Sequence, residues 1–554
     1  MTRNYTVGTK TQYALLMITG IIAILFRYPT SSFMIDHAND SHFYTFLANS
    51  ITYFSRAKWI LHPLSYMGQY PFSSTTGYPM FLSSISQMAG VQTDIALLCL
   101  TYLISIVGIL GMFLFLREMF ENPLFSISGT FFFALMPITI WYSSWSLTDR
   151  IFVVYITPFF LFFILKSART NRHIFTFMAL ATLLFTFLFH KISYFLLPVF
   201  LSYLLSGAIA KGKFNMPSAL KKRARWFWLF LLLISFEGSV LFFAGLGSSY
   251  THGILGTGPA LLTPTINAFV SLVGGANLAV FLSIPGIFYL LWIKYRERAH
   301  IFLIVTLLAI FPLLQFRLYS RPFVSIFLII SAAYAVYWGR EILDRKKFVA
   351  LLLSFCILSI GFTSAMLSHW GVVGFTEYSW DSDIENRSGE RFNCIVYANT
   401  ISNKNGSFIS NSWGDARYIQ AYISAPNAPP MHGLDPMSLL IYGYVTPEEI
   451  KNEVTVIPLS KPEKYVENEG PFFLSGVDSY YIGETDRLTK LSVDSVVGQK
   501  IMDNYQTEFI VTNKAIGLQH YDRWYYLTDS KFFSSLESNS YKSYESSGYI
   551  LWVP

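Results

Sequence analysis

The chain has 554 residues, of which 53% are hydrophobic and only 13% are charged, and its mean hydropathy is +0.43. Soluble domains carry about 25% charged residues, so this composition is typical of a membrane protein. The formal charge of +7 does not indicate nucleic-acid binding, because most of the basic residues lie between the apolar segments. No nucleic-acid partner is predicted.

Apolar runs of about 17 to 25 residues recur along the chain, and each could cross a bilayer core of about 30 Å as a helix. The first run ends at Arg27-Tyr28-Pro29 without a small-residue cleavage site, so no cleavable signal peptide is predicted. The sequence predicts about eleven spans, at residues 13–33, 95–116, 123–143, 151–166, 174–190, 193–210, 226–246, 274–293, 300–316, 323–338 and 348–368.

Basic residues cluster between alternate spans, which indicates the cytoplasmic side of the membrane. Arg3 and Lys10 precede the first span, and further clusters follow the fourth, sixth, eighth and tenth spans. The N-terminus is therefore predicted to be cytoplasmic. An odd number of spans then places the part beyond residue 370 outside, in a multi-pass protein of the cell membrane.

The first outside loop, 34–94, begins with two carboxylates and two imidazoles within seven residues. If the first helix continues through this segment, Asp36 and Asp40 share one face. A carboxylate there could act as a general base or hold a divalent cation through oxygen. The alternative is an ordinary solvated loop outside the lipid headgroups. His42 and Tyr44 are further candidates for contact with a substrate or a metal.

Other candidates lie at outside ends of later spans. Asp149 precedes the fourth span, where it is either a functional acid or part of a helix N-cap. His190 and Lys191 end the fifth span, although a lysine at a span end commonly just extends its amine to the interface. Glu237 lies within the seventh span and is a functional candidate because acids are rare there.

Arg317 and Arg321 flank Tyr319 at an outside membrane end. Their position runs against the positive-inside bias. A phosphate group at the headgroup level would explain them, since the guanidinium fork matches phosphate oxygens. Acids and bases on one side together favour a reaction on a lipid-anchored phosphate ester.

Hydropathy falls after about residue 370. The sequence therefore divides into a transmembrane domain, 1–369, and a soluble extracytoplasmic α/β domain, 370–554. Short β-rich runs separated by turn residues predict strands in the second domain. They lie at Phe408–Ser410, Val454–Ile457, Phe472–Leu474, Phe509–Thr512 and Tyr549–Val553.

These features together resemble the membrane glycosyltransferases with the GT-C fold, which include protein O-mannosyltransferases, aminoarabinose transferases and oligosaccharyltransferases. The family's acidic motif often reads Asp-acid-x-x-Tyr, and the segment Asp40-Ser41-His42-Phe43-Tyr44 is similar, with Ser in place of the second acid. Tyr78-Pro79 resembles a proline-containing element that precedes the second span. Ser146 to Asp149 is similar to the acidic motif of the second outside loop. The segment from Arg317 to Pro322 resembles an Arg-Tyr-x-x-Pro element in a late span.

The resemblance implies an inverting transferase that passes a sugar from a polyprenyl-phosphate donor to a glycan, lipid or protein acceptor at the outer face. By it, Asp40 or Asp36 would be the base. Arg317, Arg321, Lys191 and His190 would bind the donor phosphate, and Asp149, His42, Tyr44 and Tyr319 would contact the acceptor or a metal. Mg²⁺ or Mn²⁺ is left open as a cofactor, with Asp36, Asp40 and Asp149 as its ligands.

Three alternatives are weighed against this reading. A transporter or flippase of lipid-linked glycans would favour half-helices interrupted by Gly or Pro and an internal repeat, neither of which the sequence clearly shows. An oligosaccharyltransferase-like enzyme would use a pyrophosphate donor and a Trp-Trp-Asp-Tyr-Gly motif, of which Ser412-Trp413-Gly414-Asp415 keeps only a part. The third is a non-catalytic membrane partner whose outer domain binds glycan or protein.

Overall fold

The computed structural model describes residues 8–28, 39–55, 77–120, 122–144, 149–170, 172–210, 224–246, 262–293, 298–315, 317–369, 384–402, 407–410, 419, 494, 499, 502–503, 507–514, 530–539 and 541–553. The chain forms two compact units, residues 1–32 with 97–380 and residues 33–96 with 381–554. The segment predicted as the first outside loop, 34–94, thus belongs to the same compact unit as residues 381–554.

Most described residues before 370 are helical, as their apolar composition predicts. The helices are α1 (Thr9–Leu25), α2 (Asn39–Phe54), α3 (Gly77–Ala89), α4 (Thr93–Met119), α5 (Pro123–Ala134), α6 (Pro137–Ser144), α7 (Arg150–Thr170), α8 (His173–Phe187), α9 (Leu196–Ala210), α10 (Ala224–Leu246), α11 (Leu262–Ala276), α12 (Ala279–Trp292), α13 (Arg298–Ile310), α14 (Arg317–Ile342) and α15 (Arg345–His369). Two 3-10 turns, Lys191–Phe195 and Phe311–Gln315, precede α9 and follow α13.

Within the described residues, five helices are long and apolar enough to cross a membrane, or seven if each of two bent helix pairs is one span. Four shorter apolar helices lie at Thr9–Leu25, His173–Phe187, Trp226–Glu237 and Arg298–Leu313. Each of the eleven predicted apolar runs overlaps one of these helices or bent pairs. The first run extends further than its helix, because α1 ends at Leu25 and residues 29–33 lie outside the described part.

The two bent pairs correct the sequence analysis, which predicts continuous spans at 123–143 and 274–293. The chain turns by 52° between α5 and α6 and by 104° between α11 and α12. Pro137 has no N–H to continue α5, and Asn277 has a positive φ of 68°. Interrupted helices, which the sequence does not clearly show, are therefore present at both places.

Small residues allow the membrane helices to pack closely. Gly108 and Gly111 of α4 lie directly against the rings of Tyr155 and Phe159 on α7, and a Cβ at position 111 would be 2.6 Å from the Phe159 ring. Helix α5 begins with Asn122, whose side chain accepts a 2.9 Å hydrogen bond from the Leu124 N–H.

The second unit contains helices and strands. Its C-terminal elements are α16 (Ile384–Ile401), β1 (Ser407–Ser410), β2 (Thr507–Asn513), α17 (Ser530–Asn539), β3 (Tyr541–Glu545) and β4 (Tyr549–Val553). The described strands form one sheet of order β1-β2-β4-β3, in which β1 and β2 are parallel and the other pairs are antiparallel.

The strands predicted at 408–410, 509–512 and 549–553 are confirmed, whereas 454–457 and 472–474 lie outside the described residues. The sequence analysis missed β3. Cys394, Phe408, Phe509 and Leu551 pack in the core beneath the sheet. Hydrogen bonds from Lys514 and Lys542 lower the pKa of Glu545 at the exposed end of β3.

Candidate functional site

The acidic segment at the start of the first outside loop is only partly described. Asp36 lies outside the described residues, and Asp40 is the second residue of α2. Since α1 ends at Leu25 and α2 begins at Asn39, the first helix does not continue through this segment. The condition under which Asp36 and Asp40 would share one face of the first helix is therefore not met, and Asp40 belongs to the first turn of a new helix. The side chains of Asp40 and His42 are outside the described part.

Helix α2 is held in place by α3. Tyr44, one turn after Asp40, is buried and meets Tyr78 edge-to-face at 4.8 Å between ring centroids. Two turns further on, the Thr52 and Ser83 hydroxyls hydrogen-bond at 2.8 Å. Tyr44 therefore has a packing role that sequence reasoning did not assign to it, and its contact fixes the end of α2 that carries Asp40.

Asp149 and His190 come together in the first unit. Asp149 is fully buried directly before α7, and its Oδ1 lies 4.0 Å from Nε2 of His190, which is also buried. The two residues are 41 positions apart, so only the fold reveals the pair. The position before α7 agrees with the predicted helix-start location, where the helix dipole favours a negative charge.

The orientation of the His190 ring follows from the turn that it begins. Its Nδ1 accepts a 2.9 Å hydrogen bond from the Ile192 N–H, which caps the 3-10 turn Lys191–Phe195. A ring that accepts at Nδ1 carries its proton on Nε2 when neutral. That N–H faces the Asp149 carboxylate. Phe152 and Phe189 stack in parallel beside the pair, with centroids 4.8 Å apart, and hold the start of α7 against the end of α8.

The predicted phosphate-binding residues are described to different extents. Lys191 opens the 3-10 turn, and Arg317 and Tyr319 lie in the first turn of α14, but the side chains of all three are outside the described part. Arg321 is described and half-buried. Its side chain packs against Gly275 of α11, where a Cβ would lie 2.7 Å from Cδ of the arginine. Because Gly275 has no side chain, the aliphatic part of the Arg321 side chain fits against it.

Arg27 is a buried cation that sequence reasoning passed over as a flanking residue. It is 1% exposed. Its Nε donates to the Ser143 hydroxyl at 2.7 Å, its Nη1 to the Ala23 carbonyl at 2.7 Å and its Nη2 to the Tyr155 hydroxyl. Across the described residues every partner of Arg27 is neutral. The sequence contained an indication of this role, because an arginine at the end of an apolar helix must either reach water or hydrogen-bond to buried polar groups.

The described residues also bear on Glu237 and on the predicted metal site. Glu237 lies half-buried on α10. As far as the described side chains extend, no group of three or more His, Cys, Asp or Glu residues is placed to hold a metal ion. The predicted ligands Asp36 and Asp40 fall outside that search, so the divalent cation remains a prediction.

Comparisons with known proteins give the fold. No protein-family model matches the sequence, and no curated protein is similar to it. The structure is similar to the oligosaccharyltransferase of Archaeoglobus fulgidus in its apo form, with a TM-score of 0.58, 12% identity, and coverage of 92% of this chain and 70% of that chain. It is also similar to a mutant of the arabinofuranosyltransferase AftD from Mycobacteria, with a TM-score of 0.51, 11% identity, and coverage of 99% and 42%.

A third similar structure is ArnT from Cupriavidus metallidurans in the apo state, with a TM-score of 0.50, 12% identity, and coverage of 98% of this chain and 97% of that chain. At such low identity the likeness concerns the backbone and not the individual residues. It confirms the predicted GT-C fold, whereas the eleven spans and the extracytoplasmic C-terminal domain stay predictions. The chain has the fold of the GT-C membrane glycosyltransferases.

Proposed function

We propose that this protein is a membrane glycosyltransferase that takes a sugar from a polyprenyl-phosphate donor and passes it to an acceptor at the extracytoplasmic face. The observation that carries the proposal is the GT-C fold, which the chain shares with three sugar transferases over at least 92% of its own length. Among the similar structures is the Archaeoglobus oligosaccharyltransferase in complex with an inhibitory peptide and a dolichol-phosphate.

The proposed reaction is a single displacement. Asp40, with Asp36 as the alternative, removes the proton from the acceptor hydroxyl, and the acceptor oxygen attacks the anomeric carbon. The bond from that carbon to the phosphate oxygen breaks, and the polyprenyl phosphate leaves with the bonding electrons. One displacement inverts the anomeric configuration. Arg317 and Arg321 stabilise the leaving phosphate through charge-assisted hydrogen bonds, with Lys191 and His190 as further candidates.

The membrane arrangement is part of the proposal. All eleven apolar segments cross the membrane, the N-terminus is cytoplasmic, and the division at residue 370 separates the transmembrane domain from an extracytoplasmic domain. Asp149 supports this placement, since it lies at a helix end and not in the middle of a span. His42, Tyr44 and Tyr319 are proposed to line the acceptor side.

Arg321→Ala is expected to raise the KM for the lipid-phosphate donor by about tenfold or more, because a hydrogen bond to a charged group contributes about 1.5–3 kcal/mol. The KM for the acceptor should change little. Steady-state transfer from a radiolabelled polyprenyl-phosphate sugar, with the purified protein in liposomes, measures both constants. Arg317→Ala is expected to act in the same direction.

Arg340→Ala is the matched control, because Arg340 is an arginine of the same helix at its opposite end. Gly275→Ala provides a second comparison, since a Cβ there displaces the Arg321 stem without removing its charge. An effect of Arg321→Ala on the acceptor alone, or an equal effect of Arg340→Ala, contradicts the phosphate role.

A transporter of lipid-linked glycans is the second candidate, favoured by the two bent helix pairs. It predicts movement of a labelled lipid-linked glycan between bilayer leaflets without formation of a glycosylated product. Transfer from a lipid-pyrophosphate donor, with none from the monophosphate, would instead indicate an oligosaccharyltransferase-like enzyme.

Removal of divalent ions is expected to lower transfer if Mg²⁺ or Mn²⁺ takes part, because carboxylate oxygens are the ligands these ions prefer. We expect a chelator to reduce the rate and added Mg²⁺ or Mn²⁺ to restore it. Full activity after dialysis against the chelator would remove the cation from the mechanism and leave Asp40 as base only.

A further inference from the structure

The break between α11 and α12 is organised around one buried side chain. Asn277 is 0% exposed and adopts a left-handed backbone conformation, with φ of 68°. Asparagine tolerates this region better than most residues. The chain turns there by 104°. The amide of Asn277 thus lies where two helices end inside the membrane unit.

The side-chain amide of Asn277 forms hydrogen bonds with polar groups on three separate segments. Its Nδ2 donates to the Ser359 carbonyl at 2.9 Å and to the Thr363 hydroxyl at 2.5 Å, both on α15. The same nitrogen is 3.4 Å from the Leu135 carbonyl, at the break between α5 and α6. Its Oδ1 accepts from the N–H of Leu278, which starts the next helix.

Thr363 completes the cluster by donating a 3.0 Å hydrogen bond to the same Leu135 carbonyl. Helix ends leave backbone groups without intrahelical partners, and in a membrane these groups must be satisfied by the protein. Both helix breaks therefore depend on one cluster, consisting of Asn277, Thr363, and the carbonyls of Leu135 and Ser359. This set is called the break cluster below.

Helices α6 and α11, which adjoin the break cluster, connect it to candidate site residues. Helix α6 starts two residues after Leu135, and Asp149 follows its end by five residues. Helix α11 ends just before Asn277 and carries Gly275, on which the Arg321 side chain packs. Helices α6 and α11 also contact each other. A change at the break cluster would therefore shift both Asp149 and the wall beside Arg321.

We propose that Asn277 is a positioning residue, which locks α6 and α11 together at their inner ends and thereby holds Asp149 and Arg321 in their working places. This inference rests on the proposed function. It assigns a role to an uncharged residue near the start of the apolar run 274–293, 128 residues after Asp149 in sequence.

Asn277→Gly tests the proposal, because glycine readily adopts the left-handed backbone conformation while the side-chain amide is removed together with its methylene. Ser283→Ala is the matched control. Ser283 is a buried polar residue of α12, and among the described residues its hydroxyl hydrogen-bonds only to the Val280 carbonyl of the same helix. Both variants of the full chain are compared with the wild type in nanodiscs, by amide hydrogen exchange and by transfer from a polyprenyl-phosphate donor.

Asn277→Gly is expected to raise hydrogen exchange in two segments, 137–144 and 262–276, and to lower kcat by about tenfold to a hundredfold, since small displacements at a reacting centre have effects of this size. Ser283→Ala should leave the exchange of 137–144 and kcat unchanged. The response of 137–144 is decisive, because a purely local role of Asn277 would affect only the residues around its own break.

Exchange that changes only between 262 and 292 overturns the proposed lock. Loosening of both segments with unaltered kcat overturns the positioning role, as does an equal loss of kcat in Ser283→Ala. A wild-type protein that transfers no sugar from any lipid-phosphate donor overturns the proposed function. The exchange comparison would still decide whether Asn277 couples the two segments, so the two failures are distinguishable.

Discussion

Asp40→Asn is expected to reduce sugar transfer by a factor of about 10² to 10⁴, because a positioned general base contributes about that much to the rate. Asparagine has nearly the same shape but cannot accept the proton of the acceptor hydroxyl. Donor binding should persist, so the loss should appear in kcat. Single-turnover transfer from a radiolabelled polyprenyl-phosphate sugar, with the variant in liposomes, measures it directly.

Asp94→Asn is the matched control, since Asp94 also lies in the first turn of a helix and belongs to the same compact unit. It should transfer sugar at the wild-type rate. The alternative base is examined with Asp36→Asn. If Asp40→Asn and Asp36→Asn both keep wild-type turnover while inserted and folded, neither aspartate is the base.

Gly286→Ala is expected to cause the largest loss of stability among single methyl additions. Gly286 on α12 faces the backbone of α14, and its Cβ would overlap the Ser331 carbonyl oxygen and lie 3.2 Å from the Ala335 nitrogen. Backbone atoms cannot rotate away, so the two helices must separate. Overpacking of this kind costs about 1–3 kcal/mol, and occasionally more. The midpoint of thermal unfolding in detergent, followed by tryptophan fluorescence, should fall.

Gly361→Ala on α15 is the matched control, because within the described part of the chain no atom other than nearby backbone of its own helix lies within 4 Å of the added Cβ. Alanine favours a helix over glycine by up to about 1 kcal/mol, so this variant should keep or raise the unfolding midpoint. If Gly286→Ala unfolds at the temperature of Gly361→Ala, the close approach of α12 and α14 is not a determinant of stability.

The sequence predicted the helices well and their breaks poorly, for a physical reason. Hydropathy summed over about 19 residues detects length and apolarity. It is insensitive to one Asn or one Pro within an apolar run. The pair α5–α6 was therefore predicted as one span, and the span predicted at 274–293 runs across the break at Asn277 and leaves out most of α11. Pro137 and Asn277 were the residues in the sequence that could have indicated the two breaks. Strand β3 was missed because Tyr541–Glu545 is mostly polar and gains its place by pairing with β4.

The site was predictable as a set of residue types but not as contacts. Charge and hydropathy predicted that Asp149 and His190 lie at outside ends of spans. Their approach to 4.0 Å depends on how α7 and α8 pack. Arg321 was singled out by its charge, whereas the glycine beside it could be recognised only once α11 and α14 were in place. Long-range packing of this kind carries no local sequence pattern.

Arg27 also constrains the order in which the protein can be assembled. It lies at the end of the first helix, but its side-chain partners Ser143 and Tyr155 are synthesised 116 and 128 residues later. A guanidinium is costly in lipid until such partners arrive, and before then it can reach the interfacial water or lipid headgroups. We therefore expect the first helix to reach its final position only after α6 and α7 have been made.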